Sequence, residues 1–149
     1  GFTYAELPAK FEAGTQPVIE AIGLGAAVDY LTAIGMDNVR AHEHDMTVFA
    51  LKSLNERFGS DITIHGSTDA ALRGATISFA YRDVHPHDIS QVLDQNNVCV
   101  RAGHHCAKPL MRLLGSNATV RASFYLYNTP SDVTALCDAL SEAGDFFTL

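Results

Sequence analysis

Apolar residues recur at intervals of three and four through much of the first third of the chain. Ile19, Ile22, Ala26, Ala27, Tyr30, Leu31 and Ile34 share one such stripe, which predicts a helix that Gly35 stops. Pro17 suits its first position, with Thr15 or Gln16 as cap. Val39, Met46, Phe49, Ala50, Leu54 and Phe58 predict a second helix from Met36 or Asp37 to Phe58, ended by Gly59. Residues 1–16 carry no period and read as an irregular arm. Then the period shortens. Ile62-Thr63-Ile64 and Ala75 to Phe79 alternate as half-buried strands do, and Val98-Cys99-Val100 and Thr119 to Tyr127 are further strands. Short helices fit Ile89, Val92 and Leu93 behind Pro86, and Pro109 to Leu114 before Gly115. Thr129-Pro130-Ser131-Asp132 carries a capping-box pattern, opening a last helix that buries Val133, Leu136, Cys137, Leu140 and Phe147.

Two helices followed by strands mixed with helices predict an α+β fold with a mostly antiparallel sheet packed against helices. The expected division is an arm and linking helix over 1–35 and a small domain over 36–149. Composition agrees with a globular chain: 149 residues, 47% hydrophobic and 18% charged. A net charge of −7 argues against a nucleic-acid partner, which needs a basic face. No run reaches the roughly 18 apolar residues of a membrane span, so no membrane partner is expected. Three cysteines, without a CxxC pair, argue against a disulfide framework and for a reducing, cytoplasmic setting.

Against this sparse use of cations, RAGHHCAKP at residues 101–109 crowds Arg101, His104, His105 and Lys108 around one thiol, Cys106. A thiol reacts as its thiolate, and neighbouring cations and a helix N-terminus favour that form. Gly103 adds conformational freedom to a loop with no periodicity. The pattern suits nucleophilic or sulfur-transfer chemistry. Cys99 and Cys137 sit at apolar positions of regular elements and read as structural, with Cys99 in a strand and its side chain in the core. His104, His105 and Cys106 could instead hold a metal, although adjacent loop residues diverge and zinc spacings are missing. A redox sensor is a third possibility and needs a resolving cysteine near Cys106. Arg121 stands in TVRASFYLY, where alternation sets it opposite Val120, Ala122, Phe124 and Leu126. A guanidinium on a rigid strand either faces solvent or holds a carboxylate through two parallel hydrogen bonds.

RAGHHCAKPL followed by TVRASFYLYNT resembles the C-terminal region of group II, Suf-type cysteine desulfurases and their selenocysteine-lyase relatives, which are class V aminotransferases of pyridoxal-phosphate fold type I. PAKFEAGTQP resembles an R-F-E-x-G-T-P segment of the same enzymes, so the likeness runs through nearly the whole chain. It implies that Cys106 is the catalytic cysteine, which takes sulfur from pyridoxal-phosphate-bound L-cysteine as a persulfide and releases L-alanine for iron–sulfur cluster assembly. Arg121 would bind the substrate carboxylate, with Arg101 and His105 near it. Gly14 and Thr15 would reach the cofactor phosphate in the partner subunit of a homodimer, and a Suf-system protein would accept the sulfur. The family holds its cofactor on a lysine that follows histidine. Lys10, Lys52 and Lys108 lack that context, so the chain alone is expected to be inactive.

Overall fold

A computed structural model describes residues 1–147. Nine regular elements follow in order: α1 (Val18–Ile34), α2 (Met36–Phe58), β1 (Ile62–His65), β2 (Thr76–Tyr81), α3 (Pro86–Gln95), β3 (Arg101–Gly103), α4 (Lys108–Leu113), β4 (Thr119–Ser123) and α5 (Pro130–Phe146), with short 3-10 turns between some of them. The chain divides into two compact units, Gly1–Asn38 and Val39–Leu149, a few residues beyond the expected boundary.

In the first unit the arm is irregular apart from a 3-10 turn at Ala9–Phe11. Helix α1 departs from expectation in two ways. Pro17 is its N-cap and no side chain caps it. Nor does it carry a single stripe: Glu20 and Asp29 are its only charges, and none of its residues is buried. Ile19 is 83% exposed and Leu24 66%. A helix that is apolar all round is the kind that other protein segments normally enclose.

The second unit holds the core. Its sheet has the order β1-β2-β4-β3, every pair antiparallel. Ile62, Ile77, Phe79, Tyr81, Val120 and Ala122 line one face. They meet Met46, Ala50, Leu54 and Phe58 of α2, Ile89 and Leu93 of α3, and Val133, Leu136 and Leu140 of α5. Period-2 strands and period-3.6 helices thus present their apolar sets to one another. Phe49 was expected in the α2 stripe but is exposed, and Thr47 takes the buried place, its hydroxyl donating to the Glu43 carbonyl at 2.7 Å. Helix α5 starts as its sequence predicts: the Thr129 N–H donates to Asp132 Oδ2 at 2.8 Å, which holds the Asp132 carboxyl below its ordinary pKa. Phe147 lies beyond that helix and is 40% exposed rather than buried.

Two strands end elsewhere than their sequences suggest. The third lies at Arg101–Gly103, and 98–100 is not a strand. Val98 and Val100 pack against the core, but pairing with β4 begins only at Arg101. A cavity of about 310 Å³ opens between Val98, Cys99 and Val100 on one side and Ala122, Ser123 and Phe124 on the other, where ladder bonds would have to run. Cys99 is exposed, not in the core, because Val98 and Val100 on either side of it turn to the core and alternation turns Cys99 the other way. Strand β4 stops at Ser123 because the chain turns at Tyr125–Asn128, where Asn128 Oδ1 accepts the Tyr125 N–H at 2.8 Å. Cys137 is buried as expected, and burial pushes its thiol pKa up.

Candidate functional site

The face of the sheet turned away from the helices carries the chemistry. Residues directly opposite in adjacent strands project to the same side. The register pairs His65 with Ser78, Ser78 with Arg121, and Arg121 with Arg101. One row therefore crosses all four strands: imidazole, hydroxyl, guanidinium, guanidinium. Arg101 and Arg121 are like charges in direct apposition, which destabilises a sheet unless something compensates them. Among the described residues the ion pairs are His44–Asp45, Lys52–Glu56, Arg57–Asp138 and Arg82–Asp61, so neither arginine of the row has a carboxylate. Arg121 is half-buried, and its Nε is buried without a hydrogen-bond partner. Two guanidiniums, one with an unpartnered Nε, have the chemistry to take a carboxylate, since each fork can donate two parallel hydrogen bonds.

The thiol follows directly from this row. Strand β3 begins at Arg101 and ends at Gly103, and the next four residues make a tight turn in which the Ala107 N–H donates to the His104 carbonyl at 2.8 Å. His105 and Cys106 occupy its two central positions at φ +53° and +58°. That is the backbone sign pattern of a type I′ turn, which normally uses Asn and Gly. For residues with a Cβ the left-handed conformation costs about 1–2 kcal/mol each. The His104 Nδ1 accepts the Cys106 N–H at 3.2 Å, which leaves the ring's proton on Nε2 in the neutral form. Cys106 itself is exposed and free. Helix α4 starts two residues later, at Lys108.

His105 ties the turn to the polar face. Its Nε2 lies 3.0 Å from the hydroxyl of Thr119, two residues before Arg121 on the same strand and face. Its Nδ1 is buried without a partner. Burial and then the Arg121 guanidinium lower the His105 pKa, with smaller downward effects from Arg101 and His104, while a hydrogen bond to the Thr119 backbone opposes them. Burial alone lowers that of His65, whose Nε2 is likewise orphaned. The linkage has a definite sign. An unfolded histidine titrates at about pH 6.5, and these two titrate lower when folded. As pH falls through 6.5 the unfolded chain takes up protons that the folded chain refuses, so stability drops until the folded pKa values are reached. The urea midpoint should therefore fall between about pH 7.5 and about pH 5.5, and fall less in a His65→Gln, His105→Gln double variant. A wild-type midpoint that is flat across that window would contradict the assignment.

The site residues expected from sequence thus fall into two groups. Arg101, His105 and Arg121 share one edge of one face, and Cys106 follows His105 in the adjoining turn. Gly14 and Thr15 lie in the first unit, exposed, with Gly14 at φ +80° in a bend. His65, Ser78 and Thr119 belong to the face but carry no mark in the sequence, since only the register puts them there. Among the described residues no group of three or more His, Cys, Asp or Glu side chains could hold a metal ion. Of the three lysines, Lys10 sits over the rings of Tyr4 and Phe11, Lys52 pairs with Glu56, and Lys108 opens α4.

A helix-backed antiparallel sheet with an arginine pair on its second face and a thiol on the adjoining turn now has a context. The chain belongs to the aminotransferase class-V family, whose model matches residues 1–136. It is similar to a probable cysteine desulfurase of Streptomyces coelicolor, 55% identical over 97% of this chain and 34% of the relative, and to one of Halalkalibacterium halodurans, 48% identical over the same shares. In three dimensions it resembles the apo structure of a cysteine desulfurase from Thermococcus onnurineus, with a TM-score of 0.88 and 35% identity over 99% of this chain and 36% of that one. The cysteine desulfurase CsdA (S-sulfonic acid) of Escherichia coli gives 0.87 and 34% over 98% and 35%. The chain spans about a third of the length of the curated relatives it matches.

Proposed function

We propose that this chain supplies the sulfur-accepting thiol and the substrate clamp of a cysteine desulfurase. The observation that carries the reading is the exposed Cys106, held on a strained turn that His105 fastens beside the unpaired Arg101–Arg121 couple. Arg121, with Arg101 across from it, binds the carboxylate of L-cysteine. This presents the substrate sulfur to Cys106. The substrate Cβ–Sγ bond breaks as a bond forms between that sulfur and Cys106 Sγ. The carbon keeps the electron pair and gains a proton, so L-alanine leaves and Cys106 carries a persulfide. The sulfur is oxidised and the carbon reduced, and no outside oxidant is required.

Pyridoxal phosphate, on which the class-V family relies in general, would act as the electron sink for this cleavage, held by a lysine of the whole protein outside this chain. The chain alone is therefore inactive. On the same reading Gly14 and Thr15, exposed at their bend, contact the cofactor phosphate within a homodimer. The exposure of Cys106 suits hand-over to an acceptor protein of the Suf type, for iron–sulfur cluster assembly in the cytoplasm. The test is to incubate the complete protein with L-cysteine and no acceptor. Alanine should form once per site, and the peptide carrying Cys106 should gain the mass of one sulfur atom. Alanine formed without that adduct would defeat the proposal.

A further inference from the structure

We infer that Thr119 is a positioning residue for the Cys106 thiol, acting through the ring of His105. The functional half of this inference rests on the desulfurase reading; the mechanical half does not. Thr119 is fully buried although it is polar. Among the described residues the single hydrogen bond of its hydroxyl is the one to His105 Nε2, at 3.0 Å. A buried hydroxyl needs such a partner, and here the partner is the residue immediately before the thiol.

The turn at 104–107 has two internal bonds, Ala107 N–H to the His104 carbonyl and Cys106 N–H to His104 Nδ1. Both close the turn on itself, and neither fixes it in space. Among the described residues the His105–Thr119 bond is the only side-chain hydrogen bond from the turn to the sheet. Two successive left-handed residues with side chains persist only where the surroundings over-determine them. Thr119 is placed for that task. It pairs with Gly103, the last strand residue before the turn, and precedes Arg121 by two on the same face. One strand thus carries both the substrate clamp and the anchor of the thiol that must meet the substrate, so the spacing between them is set by a rigid element rather than by a loop.

The experiment compares Thr119→Val, close in shape but without the hydroxyl, with Thr119→Ser, which keeps it, in the complete protein. Hydrogen exchange across 104–107 should quicken about tenfold in the valine variant and stay within about twofold of wild type in the serine variant, with Val120 and Ala122 amides unchanged in both. Alanine release should fall about tenfold in kcat for the valine variant, with KM for cysteine held within about twofold, because clamp and substrate contacts are intact. Unchanged exchange in the valine variant, or equal quickening in both variants, would overturn the anchoring role. Quickened exchange with wild-type kcat would overturn the positioning role. If exchange behaves as expected but even the wild-type protein releases no alanine from cysteine, the desulfurase reading fails while the anchor stands.

Discussion

Replacing Cys106 with serine in the complete protein should reduce alanine release from L-cysteine by roughly 10³-fold or more. A serine oxygen cannot form a persulfide, and an alcohol is far less acidic and less nucleophilic than a thiol. Nothing in the fold compensates, since Cys99 opens on the cavity beside Ser123 and Cys137 is buried in the core. Stability should stay within about 0.5 kcal/mol of wild type, because the Cys106 side chain is exposed and its backbone bond to His104 survives the change. The pair of measurements separates chemistry from folding. A serine variant that makes alanine at the wild-type rate would remove Cys106 from the reaction.

Arg121→Gln should lower kcat/KM for cysteine by about 10²- to 10³-fold, the loss of a charge-assisted bidentate contact in a half-buried setting. Its effect on stability should have the opposite sign. Arg101 and Arg121 face each other across the β3–β4 ladder with no carboxylate between them, so removing one charge relieves repulsion, most visibly at low salt. Arg121→Lys keeps the charge but loses the fork and should recover only part of the activity. Arg101→Gln should cost less, about tenfold, because Arg101 is exposed and a solvated cation binds a carboxylate more weakly. An Arg121→Gln enzyme with unchanged kcat/KM would show that the carboxylate is held elsewhere.

Elements with a strong period or a local chemical signal are legible in the sequence. Helix α2 ends at Phe58, and Gly59 follows at φ +49°. The capping box of α5 and the proline that opens α3 mark boundaries through bonds a few residues long. The expectations that failed concern positions where a distant partner decides the outcome. Val98 to Val100 has the residues of a strand, yet it forms no ladder and instead lines a cavity with Ala122 to Phe124. The spacing in α1 promises a buried face, and among the described residues no α1 side chain is fully buried, with Leu31 and Ile34 only half-buried.

By itself the sequence determined most helix boundaries and the alternation of the strands, because periodicity and capping are local properties of neighbouring residues, and its motifs pointed to Cys106, Arg101, His105 and Arg121 through a family resemblance. The tertiary structure alone decided that His65, Ser78, Arg121 and Arg101 form one row, that the two arginines meet without a counter-charge, and that Thr119 holds His105. Strand register sets these. It joins residues far apart in the chain, and a slip of one position would send every one of these side chains to the opposite face.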